Sequence, residues 1–246
     1  MADAVYSARA SLPVFLTRGR ANAIGITVVD SAGDAATIAS GTIDVWDGNG
    51  VKVVDEAAVS VSPATYTVLA AVLPVTEPLS DNWQIGWNLT IGSTAYRFVQ
   101  PAHLVRWTLK APVVESDVTA RHSEAADLLA AGQDLSDVIT AAWEWVLRRL
   151  LQRGRMPWLI LDSFALFDVH LAKTLHLLYL DAHASVGGSG KYLEMAREYE
   201  LATDREFAAA RLTYDESEDG LPGSGEGGDS AVGAVYMGGP GRGWRL

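Results

Sequence analysis

The spacing of apolar residues changes once along the chain, at Ala111-Pro112, and this change constrains the fold more than any other feature. Before it, short β-branched or aromatic runs alternate with turn residues about every 8–12 positions, the rhythm of a β-sandwich or barrel. After it, apolar residues recur at intervals of three and four, which is typical of helices. The sequence therefore predicts an α+β protein.

Residues 1–110 are predicted to form an antiparallel β-sandwich. Asp47-Gly48-Asn49-Gly50 separates two strand-like runs, and Gly and Asn tolerate the positive φ angles of a tight hairpin. In the segment 83–90, alternate residues are apolar, so we expect one buried and one solvent-facing side. The buried side is predicted to consist of Trp83, Ile85, Trp87 and Leu89. Strand-like runs occur at 12–17, 24–29, 42–46, 51–54, 65–73, 83–91, 94–99 and 104–107.

Residues 111–220 are predicted to form a small helical bundle, with helices at 115–131, 136–151, 164–184 and 191–214. The second helix ends in a cluster of arginines followed by Gly154 and Pro157, a typical stop signal. These arginines are Arg148, Arg149, Arg153 and Arg155. The third helix is apolar on nearly all sides, which in so small a bundle predicts that neighbouring copies cover it.

Residues 221–246 are predicted to be a flexible or extended glycine-rich C-terminal arm. The last 32 residues hold 10 of the 23 glycines and show no apolar period, so they cannot build a core. An extended segment can add a strand to a partner's sheet, with alternate side chains filling pockets. The candidate partner-binding residues are Val232, Val235, Tyr236, Met237, Trp244 and Leu246. A solvated end without a partner remains the alternative.

Charge and cysteine content exclude several classes of protein. The chain has 19 Lys+Arg against 30 Asp+Glu, so a phosphate backbone is not expected to be its main partner. It has no Cys, which excludes disulfides, thiolate metal sites and thiol nucleophiles. The most apolar stretch, 159–180, carries several charged and histidine side chains, so no membrane span is predicted. The first ten residues do not resemble a secretory signal.

No catalytic constellation emerges from the motifs. His170, His176 and His183 lack the three- or four-residue spacing that would let one helix ligate a metal ion, so we expect structural or interface roles for them. The glycine-rich run 187–191 lacks the first Gly and the Ser/Thr of a phosphate loop. We therefore expect no catalytic residue, cofactor or metal site, and a protein that is not an enzyme.

One calcium-loop match is left open. Asp215, Ser217, Asp219, Gly220 and Glu226 fall at positions 1, 3, 5, 6 and 12 of such a loop. A serine at position 3, Pro222 within the loop and the absence of a following helix count against calcium binding.

The run Arg211–Gly220 (R-L-T-Y-D-E-S-E-D-G) closes a helix that contains Tyr192, Tyr199 and Phe207. This arrangement resembles the end of head–tail connector (adaptor) proteins of long-tailed bacteriophages. The order of a proline-led entry, a helix, a charged break, an apolar helix, a glycine-rich turn and a charged helix is similar too. The resemblance covers residues 115–220, and it makes the β region an added domain.

The resemblance implies a structural virion protein, made in the bacterial cytoplasm and located in the neck between capsid and tail. Such adaptors form rings of about twelve copies by closed heterologous contacts. The implied partners are the portal protein, a stopper or tail-completion protein, and further copies of the chain itself. DNA would pass through an acidic lumen without specific binding.

The alternative from another class is a carbohydrate- or receptor-binding β module on a helical oligomerisation stem. Tryptophan side chains can stack on sugars, although the shared apolar face of Trp83 and Trp87 favours a packed core. The tryptophans concerned are Trp46, Trp83, Trp87 and Trp107.

Overall fold

The structure is a computed structural model that describes residues 6–9, 12–61, 63–129, 132–185 and 190–215. It is an α+β fold in which two mostly antiparallel sheets are followed by helices. The chain divides into two compact units, Met1–Thr108 and Leu109–Leu246. In the described part of the chain, no helix combines the length and the apolar character needed to cross a membrane.

The described part of the first unit contains nine strands in two sheets. They are β1 Ser7–Arg9, β2 Val14–Thr17, β3 Asn22–Val29, β4 Ile38–Trp46, β5 Lys52–Ala58, β6 Ser60–Val61, β7 Ala64–Val68, β8 Ser80–Ile91 and β9 Thr94–Val105. One sheet has the order β1-β3-β7-β6 and the other the order β2-β9-β8-β4-β5. Neighbouring strands are antiparallel except β2 and β9, which are parallel.

Several strands differ from those predicted. The runs at 94–99 and 104–107 belong to one strand, β9, because it pairs with β8 from Ile91↔Thr94 to Ser80↔Leu104. The run at 65–73 ends early, since β7 stops at Val68 and Ala70–Val72 forms a 3-10 turn. Strands β1 and β6 were not predicted, because two or three residues are too few to show a period.

One hydrophobic core draws side chains from both sheets, including Ile26 of the first and Val45 of the second. The predicted buried face of β8 is confirmed: Trp83, Ile85, Trp87 and Leu89 are each at most 1% exposed. The indole N–H of Trp87 donates to Gln100 Oε1 at 2.7 Å, so its one polar group is satisfied inside the core.

The predicted hairpin at 47–50 is confirmed and joins antiparallel β4 and β5. Asp47 Oδ1 accepts the backbone N–H groups of Asn49 at 2.9 Å and Val51 at 2.8 Å. Gly50 has a φ of 82°, a left-handed conformation that glycine adopts without a steric penalty.

The described part of the second unit contains four α-helices: α1 Glu115–Arg121, α2 Leu135–Gln152, α3 Phe167–Ser185 and α4 Gly190–Ala209. Two predicted helices were too long. The first breaks after Arg121 and is followed by a 3-10 turn at Ala125–Leu128, because His122 adopts an extended conformation with φ −138°. The last stops at Ala209, because residues 213–215 pair with another segment instead of continuing the helix.

The predicted stop of α2 is confirmed. Gly154 has a φ of 70°, and the backbone N–H of Arg155 donates to the Leu150 carbonyl at 2.9 Å. This closure satisfies carbonyl groups that the end of a helix leaves without partners.

Helix α3 is covered largely by its own chain, so its apolar character does not by itself require neighbouring copies. Eleven of its 19 residues are buried in this single chain, where α3 packs mainly against α4 and α2. The sequence did not show that two other helices of the same chain would pack against α3.

Candidate functional site

The six candidate partner-binding residues of the arm lie outside the described residues: Val232, Val235, Tyr236, Met237, Trp244 and Leu246. So do four of the calcium-loop positions, Ser217, Asp219, Gly220 and Glu226. The first position, Asp215, is only 2% exposed. Among the side chains that the structure describes, no three His, Asp or Glu residues lie close enough together to hold a metal ion.

The chain is fixed by a short antiparallel pairing just before the arm, which we call the C-terminal ladder (residues 159–161 and 213–215). Ile160 and Tyr214 form the bridge. The Leu161 N–H donates to the Thr213 carbonyl at 3.0 Å, and the Asp215 N–H donates to the Leu159 carbonyl at 2.8 Å. The departure point of the arm is therefore set by hydrogen bonds to the segment that follows α2.

The ladder gives the L-T-Y-D run a structural role. Leu212 is 1% exposed, so the first residue of the run is buried. Tyr214 lies in the bridge, and Asp215 is both buried and hydrogen-bonded through its backbone. β-Branched and aromatic residues favour extended pairing over helix, which accounts for the end of α4 before Thr213 and Tyr214.

Two of the arginines near the end of α2 contact α4. Arg149 lies 3.8 Å from the carboxylate of Asp204, and the Arg153 guanidinium is 4.7 Å from the ring centre of Phe207. Such cation–π contacts stabilise modestly at partly exposed sites. These two side chains therefore join helices, in addition to complementing the dipole of α2.

Four aromatic side chains of the second unit form what we call the tyrosine–histidine cluster (His122, Tyr179, Tyr192 and Tyr199). His122 Nε2 hydrogen-bonds to the Tyr199 hydroxyl, and His122 Nδ1 lies 3.2 Å from the Tyr179 hydroxyl. The rings of Tyr179 and Tyr199 stack at 5.7 Å with an interplanar angle of 5°. Through this cluster, the residue after α1 is tied to both α3 and α4.

Burial sets the protonation of the cluster. Burial, with a smaller contribution from the Arg121 charge, holds the pKa of His122 below its usual value. Burial also raises the pKa of Tyr179 and Tyr199. Near neutral pH all three rings are therefore uncharged, and the hydrogen bonds join neutral groups. Uncharged rings of this kind are suited to packing and positioning of helices.

The histidines of α3 face the interior and bond to backbone carbonyls of other helices. His170 is fully buried, and its Nε2 lies 2.9 Å from the Ile139 carbonyl of α2. His176 Nδ1 lies 2.9 Å from the Ala196 carbonyl of α4. Burial lowers the pKa of His170, although the hydrogen bond to Ile139 opposes the shift. The predicted structural role is confirmed for these two residues.

A lysine of α3 is also largely buried. Lys173 is 9% exposed, and its ammonium lies 4.7 Å from the ring centre of Trp145 on α2. Burial lowers its pKa, while the charges of Glu200 and Asp204 on α4 oppose the shift. The long aliphatic stem thus packs in the bundle, and the charge is compensated at its edge.

An open cleft of about 490 Å³ lies between the starts of α1 and α2. We call it the N-terminal cleft; it is lined by Val113, Val114, Glu115, Ser116, Ser136, Ile139 and Thr140. Val113 and Ile139 are buried, whereas Val114 is 57% exposed. The cleft therefore has an apolar floor and an accessible apolar residue at its edge.

The tryptophans of the β unit do not form a common platform. Trp83 and Trp87 are buried in the core. Trp46 is half-buried on the other side of the same sheet, with the Lys52 ammonium 5.6 Å and the Arg97 guanidinium 5.4 Å from its ring centre. At least two of the four predicted stacking residues are therefore unable to contact a sugar.

No protein-family profile and no curated protein sequence matches this chain.

The sequence signalled some of these features and missed others. Tyr192 and Tyr199 are seven residues apart, which places them on one face of α4, and this spacing was visible. The participation of His122 and Tyr179 was not, because they lie 57 positions apart. The N-terminal cleft likewise depends on how α1 and α2 pack, which no local pattern specifies.

Proposed function

We propose that the protein is a structural virion component, an adaptor ring that joins the portal to the stopper or tail-completion protein in the phage neck. The supporting observation is the C-terminal ladder. The L-T-Y-D run that carries the resemblance to adaptors is also the run that fixes the end of the helical unit, through buried Leu212 and the pairing of Tyr214 with Ile160. A fixed departure point would let every copy in a ring present its arm in the same direction.

We further infer that the two sheets pack face to face as a β-sandwich. The supporting observation is that one hydrophobic core includes buried residues of both sheets. Face-to-face packing of this kind is how antiparallel sheets bury their apolar sides. In the proposed adaptor the sandwich is an added domain, the helices form the adaptor bundle, and the arm binds a partner.

Contacts between copies in the proposed ring would use apolar side chains that the single chain leaves accessible. Phe164 is 68% exposed and Leu201 is 72% exposed. Phe164 lies in a 3-10 turn before α3 and Leu201 lies on α4, so both belong to regular elements of the helical unit. A heterologous contact that closes on itself generates a ring, for which we propose about twelve copies.

Native mass spectrometry of the full chain, alone and with a portal protein encoded beside it, tests the proposal. We expect a closed assembly of about twelve copies that captures the portal. Leu201→Glu and Phe164→Glu should dissociate the assembly while the single chain stays folded. Lys191→Glu, at an exposed polar position of α4, is the matched control. A chain that stays monomeric alone and with the portal would contradict the proposal.

The role of the arm has its own test. A chain truncated after Gly220 should fail to join heads to tails, because the candidate residues for docking into the portal or an adjacent copy all follow Gly220. If the truncated chain joins heads to tails as well as the full chain does, the arm has no such role.

One observation favours the alternative, a carbohydrate- or receptor-binding β module. Trp46 is partly accessible, and two cationic side chains lie beside its ring, an arrangement that suits an anionic or sugar ligand. Saturable binding to a glycan array that is lost in Trp46→Ala and kept in Trp107→Ala would support this alternative. Absence of binding by the full chain would exclude it.

A further inference from the structure

Among residues 111–214, the acidic surplus lies in residues 111–140, the part of the chain that includes the N-terminal cleft. Residues 111–140 contain six carboxylates and a single arginine, Arg121, whereas residues 141–214 contain nine acidic and nine basic side chains. The acidic residues are Glu115, Asp117, Glu124, Asp127, Asp134 and Asp137. Four of them, Glu115, Asp117, Asp134 and Asp137, lie at the starts of the two helices between which the cleft opens, so the cleft has an acidic border.

Two of these carboxylates already have a structural role, and two do not. Asp117 accepts the Val114 N–H at 2.8 Å, and Asp134 accepts the Ser136 N–H at 3.3 Å, so both cap helices. Glu115 lines the cleft and Asp137 lies beside it in the first turn of α2; both are exposed. Neither carboxylate forms an ion pair or hydrogen bond with any residue that the structure describes.

The chain that follows the C-terminal ladder has the complementary charge only in its last part. Residues 216–230 contain five carboxylates and no Lys or Arg. Residues 231–246 contain Arg242 and Arg245, no carboxylate side chain, and the apolar residues predicted to bind a partner. The carboxylates near the cleft would repel residues 216–230 and attract residues 231–246. The charge pattern therefore favours residues 231–246 as the segment that binds the cleft.

We propose that residues 231–246 of the arm occupy the N-terminal cleft, in the same copy or in the next copy of the ring. Arg242 and Arg245 pair with Glu115 and Asp137, and apolar side chains of the segment cover Val114 and the floor of the cleft. The 16 residues from Asp215 to Ala231 span up to about 55 Å when extended, roughly twice the length of the 18-residue helix α2. Where the cleft belongs to the next copy, the inference rests on the partner-binding role that the proposed function gives the arm, and it identifies the surface that the arm binds.

Cysteine cross-linking of the full chain tests the occupant directly, because the native chain contains no Cys. Thr140→Cys lies in the cleft and is paired with Gly243→Cys, between the two arginines of the arm. The matched control pairs Gly243→Cys with Arg205→Cys. Arg205 is next to Asp204, whose carboxylate lies near Arg149. Arg149 is nine residues further along α2 than Thr140, so the control cysteine lies near the other end of that helix.

We expect the cleft pair to form its disulfide faster than the control pair by about tenfold or more, because docking raises the effective concentration of the two thiols. Glu115→Lys with Asp137→Lys should remove this advantage, and adding Arg242→Glu with Arg245→Glu should restore it. A monomeric cross-linked product would mean that the arm lies in the cleft of its own copy, and a dimeric product that it lies in the cleft of a neighbour. Either product supports the arm as the occupant of the cleft. Equal rates for the two pairs, or rates that ignore the charge reversals, would overturn the proposal.

Failure of the docking proposal can be distinguished from failure of the adaptor proposal. If the cleft pair shows no advantage but the chain forms a ring and captures the portal through its arm, the docking proposal fails and the adaptor proposal stands. If the cleft pair links rapidly in a chain that forms no ring and captures no portal, the adaptor proposal fails and docking stands.

Discussion

The imidazole of His122 and the phenol of Tyr199 share a hydrogen bond between residues 77 positions apart in sequence. The other ring nitrogen of His122 lies 3.2 Å from the Tyr179 hydroxyl. In a neutral imidazole one nitrogen donates and the other accepts, and a phenol can take either part. One side chain thereby holds the segment after α1 against both α3 and α4.

His122→Ala should destabilise the protein by about 1–3 kcal/mol, because it leaves two partly or fully buried hydroxyls without their partner. Urea denaturation, followed by tryptophan fluorescence, measures the free energy of unfolding. In a double-mutant cycle with Tyr199→Phe, we expect a coupling energy of about 0.5 kcal/mol or more. Tyr192→Phe is the control, since no hydrogen bond joins Tyr192 to His122. Additive effects of His122→Ala and Tyr199→Phe would argue against the coupling.

Stability should fall as pH decreases below about 6.5, the ordinary pKa of histidine. Burial lowers the folded-state pKa of His122, His170 and His103, although an Asp81 charge opposes the shift at His103. In the pH window between the ordinary and the lowered pKa values, the unfolded chain therefore binds more protons than the folded chain, and the equilibrium moves towards unfolding as pH falls. Below the folded pKa values this loss is complete. Urea midpoints measured at half-unit pH steps report the effect.

An NMR titration of the histidine ring signals checks the cause of this pH dependence. The rings of His122 and His170 should titrate below the ordinary histidine value of about 6.5. Asp44 does not contribute in this window, because hydrogen bonds from the Glu56 backbone, Asn88 and Lys52 lower its pKa despite its burial. Histidine signals that titrate above the ordinary value would contradict the explanation.

Local patterns predicted the elements whose residues interact with near neighbours. The 47–50 hairpin, the alternation along β8 and the arginine-rich end of α2 each depend on a few adjacent residues, and the structure confirms all three. Element lengths were less predictable. α4 stops at Ala209 because residues 213–215 pair with residues more than 50 positions earlier, and no local periodicity encodes such a partner.

The site features depended even more on tertiary packing. Lys173 and the two buried histidines of α3 looked like polar interruptions of an apolar helix, and their partners on α2 and α4 became visible only in the structure. The expectation that neighbouring copies would cover α3 likewise depended on packing that the sequence does not show. An apolar surface on all sides of a helix indicates complete burial, but it does not show whether the same chain or another chain provides the cover.

Gly86→Ala should destabilise the β unit by about 1–3 kcal/mol through overpacking. A Cβ atom at Gly86 would lie 2.8 Å from Trp46 Cζ3, closer than carbon atoms pack. Trp46 cannot move freely, because Arg97 and Lys52 lie beside its ring. Thermal unfolding of the variant measures the change. In a Trp46→Ala background, the destabilisation caused by Gly86→Ala should largely disappear. If the destabilisation persists, its cause lies in the strand backbone and not in the contact with Trp46.

Leu212→Ala should destabilise the helical unit by about 2–5 kcal/mol, the range for truncating a buried leucine. Leu212 is 1% exposed and precedes the C-terminal ladder, so the cavity would loosen the segment that fixes the arm. Leu180→Ala is the matched control, because it makes the same chemical change at a position of α3 that is 40% exposed; it should destabilise the unit less than Leu212→Ala does, since it leaves a smaller cavity. Hydrogen exchange adds a local measure: the amides of Leu161 and Asp215, which close the ladder, should lose protection in Leu212→Ala and keep it in Leu180→Ala. Equal effects of the two substitutions would mean that Leu212 does not anchor the end of the helical unit.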